Sequence, residues 1–143
     1  MTENTHEGGC VCGDVRYRTT ADPDSGVVRH CEWCQRRTGS AFAVIPKFLK
    51  EDFEPFSGTL TKYREINEFG RRLDLEFCPR WRTDIGFTQK RGPWAQALDA
   101  GTFDRPGWLN AETRDFTHIF LRNHLDWSDV SEGHTRREDQ MPD

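Results

Sequence analysis

His30-Cys31-Glu32-Trp33-Cys34-Gln35-Arg36-Arg37-Thr38-Gly39-Ser40 is a two-cysteine knuckle that runs into a basic, hydroxyl-bearing turn. Two residues between the cysteines let both sulfurs face one point around a tight turn, the geometry a tetrahedral metal ion needs. The same spacing also suits a redox pair. Outward from the knuckle, Cys10-Val11-Cys12 lies near the start and Cys78-Pro79 past the middle, which completes the five cysteines of the chain. Cysteine thus falls in three separated clusters, and these are expected to meet in space as a metal-site scaffold.

The bulk composition narrows the class of protein. A chain of 143 residues suits one domain with a real core. Only 34% of residues are hydrophobic and 31% are charged, so the core must rest heavily on the ten Phe and five Trp. A net charge of -4 argues against a general nucleic-acid binder. No apolar run reaches membrane-spanning length, and residues 1–9 hold no signal-peptide core. A cytoplasmic protein is expected, where thiols stay reduced and clustered cysteines read as metal ligands before disulfides. An odd cysteine count agrees with that.

Strand signals dominate the rest. Gly8-Gly9-Cys10-Val11-Cys12-Gly13 is glycine-rich backbone able to bend closely round an ion. Residues 14–18 alternate polar and apolar, 27–31 deliver the knuckle, and the apolar run 41–45 reads as a buried strand ended by Pro46. Residues 59–64 and 72–77 form a hairpin closed by Asn67-Glu68-Phe69-Gly70, the second strand showing the cleanest alternation in the chain. Further strands are expected at 85–88, 95–98 and 116–121, with a loop at 104–108. The fold class is therefore all-β with scarcely a helical stretch. The expected organisation is a disordered start at 1–7, one domain at 8–128 and a disordered charged tail at 129–143.

Four pieces together carry a resemblance: Gly-Gly-Cys-Val-Cys-Gly-Asp-Val-Arg-Tyr (8–17), His-Cys-Glu-Trp-Cys-Gln-Arg-Arg-Thr-Gly-Ser-Ala-Phe-Ala (30–43), Phe-Cys-Pro (77–79) and Asp126-Trp127. In order and spacing the chain resembles the family of glutathione-dependent formaldehyde-activating enzymes and centromere protein V. The resemblance implies curved antiparallel sheets around a zinc site, in a β-tent arrangement, and carbon–sulfur lyase chemistry on a glutathione adduct. It also implies a structural zinc held by a Cys-x-Cys and a Cys-Pro-x-Cys pair. A second, catalytic-type zinc is implied on the three thiolates of a Cys-x-Cys-x-x-Cys motif.

The sequence departs from that pattern twice. Trp81 stands where the structural site has its fourth thiolate, and Arg29 where the second site has its first. Cys10, Cys12 and Cys78 remain for one metal, and Cys31 and Cys34 for the other. Three thiolates and water still suit zinc. A guanidinium in the third place repels a dication and instead favours thiolate at Cys31 or Cys34. At most one zinc ion per chain is expected, and the five sulfurs pooling round a single ion is an alternative. His30 and Glu32, as direct neighbours of Cys31, should point away from its sulfur.

Arg36, Arg37, Thr38 and Ser40 are the candidate substrate-binding residues, able to hold the carboxylates of a glutathione-like or other small thiol adduct. A solvated basic turn is the plainer reading of the same residues. Trp94, Trp108 and Trp127 either line a pocket or pack the core, and His118 reads as an ordinary strand residue. Three kinds of function follow. The first is an enzyme of the lyase type using Cys31 and Cys34. The second is a catalytically inactive binding or structural module. The third is a thiol-redox protein, which lacks the helix N-terminus that usually depresses such a thiol's pKa.

Overall fold

The computed structural model describes residues 4–67, 70–110 and 115–141. Its elements are β1 (His6–Gly9), β2 (Arg16–Thr19), β3 (Ser25–Arg29), α1 (Glu32–Thr38), β4 (Ala43–Leu49), β5 (Phe53–Ser57), β6 (Thr61–Ile66), β7 (Arg72–Phe77), β8 (Asp84–Gln89), β9 (Gly92–Leu98) and β10 (Thr117–Ile119), with short 3-10 turns between. Two sheets result, one ordered β1-β2-β5 and the other β10-β3-β4-β9-β8-β7-β6. Every named pairing is antiparallel except β10 on β3. The all-β class holds, and among the described residues no helix is long and apolar enough to cross a membrane.

β4 is where the two cores meet. Ala43 and Ile45 face a cluster with Val27, Cys31, Cys34, Leu73, Phe87, Ala97, Ile119 and Phe120. Phe48 joins a second cluster with Cys10, Val15, Tyr17, Cys78, Ile85, Leu98, Phe103 and Leu109. The strand does not stop at Pro46, as its sequence suggested, but runs to Leu49. The reason lies in its neighbours. Pro46 sits opposite Gly26 of β3, and the ladder to β9 starts only at Lys47, so the missing N–H costs no bond in that second ladder. β7 is likewise packed on both faces: Leu73 is buried on one side, and Glu76 on the other accepts a hydrogen bond from Gln96 Nε2 at 2.9 Å.

Three expectations need correction. The knuckle is a helix, α1, ended by Gly39 in the left-handed region (φ 70°), whose N–H returns to the carbonyl of Gln35. The start of the chain is ordered from His6, because β1 pairs with β2 and Arg18 Nη2 lies 2.8 Å from Glu7 Oε2. The charged tail is ordered too. Thr135 and Asp139 carbonyls accept from the N–H groups of His118 and Phe120, at 2.8 and 3.1 Å, and Arg137 N–H donates to the His118 carbonyl. It forms a strap that covers the β10 edge of the large sheet. Neither segment has a hydrophobic period; backbone pairing at sheet edges holds them, and composition does not encode that.

Candidate functional site: a three-sulfur group and an arginine-filled knuckle

The turn Cys10–Gly13 is closed by Gly13 N–H on the Cys10 carbonyl, with Gly13 at φ 83°. It places Cys12 Sγ 3.3 Å from Cys10 Sγ and 3.6 Å from Cys78 Sγ. All three sulfurs lie within 4.8 Å of one another, a grouping that can hold a metal ion. Cys78 heads its own turn, in which Arg82 N–H bonds the Cys78 carbonyl and Arg82 takes φ 71°. Trp81 in that turn is exposed and supplies no donor, whereas Thr83 Oγ1 lies 3.2 Å from Cys10 Sγ. Burial raises the Cys10 pKa, but the Thr83 hydroxyl, the Cys12 amide and the two neighbouring thiols outweigh it and bring the group down to about 7. Three convergent sulfurs, one already inclined to ionise, fit a thiophilic divalent ion.

The knuckle is built differently. Cys31 is the N-cap of α1, and its Sγ accepts from the Cys34 N–H at 3.4 Å. Arg29, at the end of β3, is buried at 6% exposure beside it. Its guanidinium lies 5.3 Å from the Phe120 ring, 5.5 Å from Trp33 and 5.9 Å from Phe87. Phe120 takes φ 58°, a conformation a bulky residue rarely adopts, to close over that guanidinium. The Cys31 pKa is brought down to about 6, chiefly by a hydrogen bond from the Cys34 thiol, with the positive charge of Arg29 adding to it against burial. Cys34 goes the other way: donating to Cys31 and buried, it is held firmly as the thiol. A permanently charged guanidinium occupies the place of the third ligand, so the second zinc implied by the resemblance does not fit this knuckle.

The five sulfurs do not pool, because the two groups belong to different core clusters. The basic turn divides as well. Arg37 borders a separate cavity of about 580 Å³ with Thr38, and its guanidinium is already engaged there: Nη1 and Nη2 grip Asp99 at 2.8 Å each, Asp84 lies 3.5 Å away, and Trp33 stacks on it. Thr38 Oγ1 donates to the Cys34 carbonyl and accepts from Ser40 N–H, so both finish the helix, and Ser40 is exposed. Arg36 alone of the four reaches the cavity that holds Cys31. That cavity is about 280 Å³ and is shared with Arg29, Trp33, Glu65 and Asn123.

Of the tryptophans, Trp108 stacks on His6 at 3.7 Å, Trp127 is exposed, and Trp94 borders a larger cavity of about 730 Å³. His118 is more than a strand residue: its Nδ1 lies 2.9 Å from His30 Nε2, with the His124 ring beside His30 and the His134 ring beside His118. Lys47, on the same face of β4 as Ile45, lies beyond the strand end expected at Pro46, so sequence reasoning gave it no place in the site. Its one signal was parity with Ala43 and Ile45.

A family model described as glutathione-dependent formaldehyde-activating enzyme matches residues 5–123. The crystal structure of a Rhodobacter sphaeroides protein is similar at a TM-score of 0.54 and 14% identity, covering 92% of this chain and 98% of that one. At such identity the likeness speaks for the fold. No curated protein matches the sequence.

Proposed function

Since the chain belongs to the glutathione-dependent formaldehyde-activating enzyme family, we propose that it makes and breaks a carbon–sulfur bond of a glutathione-like or other small thiol adduct, with Cys31 as the working sulfur. The observation that carries this reading is Cys31 set in a small cavity between Arg29 and Arg36, held toward thiolate at about 6. The Cys31 thiolate takes the proton of the incoming thiol, whose sulfur then forms the bond to the carbonyl carbon of an aldehyde while the π electrons move to oxygen. Cys31 returns that proton to the resulting alkoxide and is left as the thiolate again. The reverse sequence, with Cys31 taking the hydroxyl proton, expels the thiol and the aldehyde. Arg36, exposed at the mouth, orients a carboxylate of the incoming thiol.

Cys10, Cys12 and Cys78 hold zinc in this reading, and the ion ties the two turns together without touching the substrate. The test follows S-hydroxymethylglutathione formation from formaldehyde and glutathione by NMR. Acceleration over the uncatalysed mixture, lost in Cys31→Ser, is the expected result. A rate no faster than the mixture alone sinks the proposal.

One observation favours a second reading, a thiol-redox pair. Cys31 caps a helix whose first turn carries Cys34, the arrangement that lowers an attacking thiol's pKa. That reading requires a Cys31–Cys34 disulfide in glutathione redox buffers, seen by intact mass as the loss of two hydrogens. Failure to oxidise at any poise removes it.

A further inference from the structure

The cavity of about 730 Å³ that meets the smaller one at Arg29, Asn67 and Phe120 has walls and charge that the thiol chemistry does not use. Val27, Leu73, Phe87 and Ile119 supply apolar wall. Four cations also line it, Arg29, Lys47, Arg71 and Arg91, against a single carboxylate among the described residues, Asp24. Arg29 and Lys47 decide what this means. Arg29 Nε is buried with no hydrogen-bond acceptor, and among the described residues no carboxylate lies within ion-pair distance of either side chain. Aromatic rings offer the guanidinium a face but no acceptor for its N–H groups. Burying cations without counter-charge costs free energy that an occupant must offset.

We propose that this cavity binds an organic anion with an apolar body, its acidic head held by Arg29 and Lys47 and its body by the wall of Leu73, Phe87 and Ile119. The volume suits a ligand of drug-like size. Lys47 behaves as a group waiting for such a partner. Burial, then the charges of Arg29, Arg91 and Arg71, lower its pKa to about 8, a strain that a bound anion relieves. β4 fixes its placement, since Lys47 projects from the face that also carries Ala43 and Ile45. In place of a metal ion bound by thiolates, this chain has a cation that recruits an anion. The site does not rest on Cys31 reactivity.

The full-length protein is titrated with anilinonaphthalene sulfonate and with N-phenylnaphthylamine, which has the same aromatic body without the acid. The sulfonate should saturate one site and bind at least roughly tenfold more tightly than the neutral amine. Lys47→Met and Arg29→Met should each weaken the sulfonate by about tenfold and leave the amine within about twofold. Cys31→Ser should change neither probe, which separates this site from the thiol chemistry. Equal affinity of the native protein for the two probes overturns the proposal, as does a Lys47→Met protein that retains full sulfonate affinity. The probe comparison and Lys47→Met decide the matter even if Arg29→Met does not fold.

Discussion

The three-sulfur group and the Cys31–Cys34 knuckle each stand one cysteine short of the family pattern, yet they answer the loss in opposite ways. At the first, Trp81 turns out to solvent and leaves Cys10, Cys12 and Cys78 gathered within 4.8 Å. The missing donor there is only a gap. At the second, Arg29 turns inward and fills the ligand position with positive charge. The knuckle is then held by other means: α1 is tied to the sheet by the Arg37–Asp99 pair and by Trp33 between two guanidiniums. The first replacement leaves three sulfurs that can still hold a metal ion, and the second puts a buried cation where a ligand would stand.

The sharpest way to break that contrast is to measure whether the first site holds a metal ion. Elemental mass spectrometry of the reduced protein should give one zinc per chain, absent from Cys78→Ser, and a chelator should lower the unfolding midpoint by on the order of 10 °C or more. Two equivalents in the native protein would mean that the knuckle also binds metal and the contrast is false. Next in size is the ion pair that ties the knuckle to the sheet. Asp99→Ala leaves the nearly inaccessible Arg37 with Asp84 alone at 3.5 Å and should cost about 3 kcal/mol, the low end for breaking a buried pair, in denaturant unfolding. A loss under about 1 kcal/mol would show that α1 needs no such tie.

Restoring what was lost sharpens the comparison further. Arg29→Cys should raise the metal content by one equivalent per chain, because the guanidinium is what bars a third thiolate. The same substitution removes an electrostatic cause of the depressed Cys31 pKa. Smaller still is a pH effect on the native knuckle. Only thiolate is alkylated, so iodoacetamide labelling of Cys31 should rise with pH through a midpoint near 6, while Cys34 stays unlabelled. Arg29→Met should move that midpoint upward, and an unmoved midpoint would strip Arg29 of its electrostatic role.

The histidine seam beneath the strap adds an acid sensitivity of its own. Burial and neighbouring positive groups lower His30 and His118 from 6.5 to about 4, with His118 and His124 acting on His30, and His134, Arg136 and His124 on His118. Because the folded values lie below the unfolded ones, the unfolded chain takes up protons first. Stability is therefore full above 6.5 and declines as pH falls from there toward 4. Thermal melts across that range should show the decline, and His118→Gln should flatten it.

Much of the sheet was legible because strand periodicity is local. The hairpin of β6 and β7 and the strands at β2, β3 and β8 follow from alternation and turn residues within a few positions. The helical nature of the knuckle was not, since seven residues hold too few apolar positions to show a period. Nor were β1 and the strap, which are ordered by backbone pairing rather than by side-chain pattern. At the candidate site, the residue types were legible and their partners were not. Arg36 and Arg37 are adjacent and chemically alike, but one opens on the Cys31 cavity while the other grips Asp99, 62 positions away, beside a different cavity.

The sequence by itself determined the family, the all-β class, the grouping of Cys10 and Cys12 with Cys78, and the two positions where a ligand is missing. Motif spacing carries such information because ligand geometry and strand period are set over a few bonds. Only the tertiary structure decided what the replacements do. Trp81 faces water, Arg29 faces the core, and Lys47 lines the large cavity with Arg29 and has no carboxylate partner among the described residues. The sign of a buried charge's effect depends on which groups other strands bring within a few ångströms of it, and no local pattern in the chain records that.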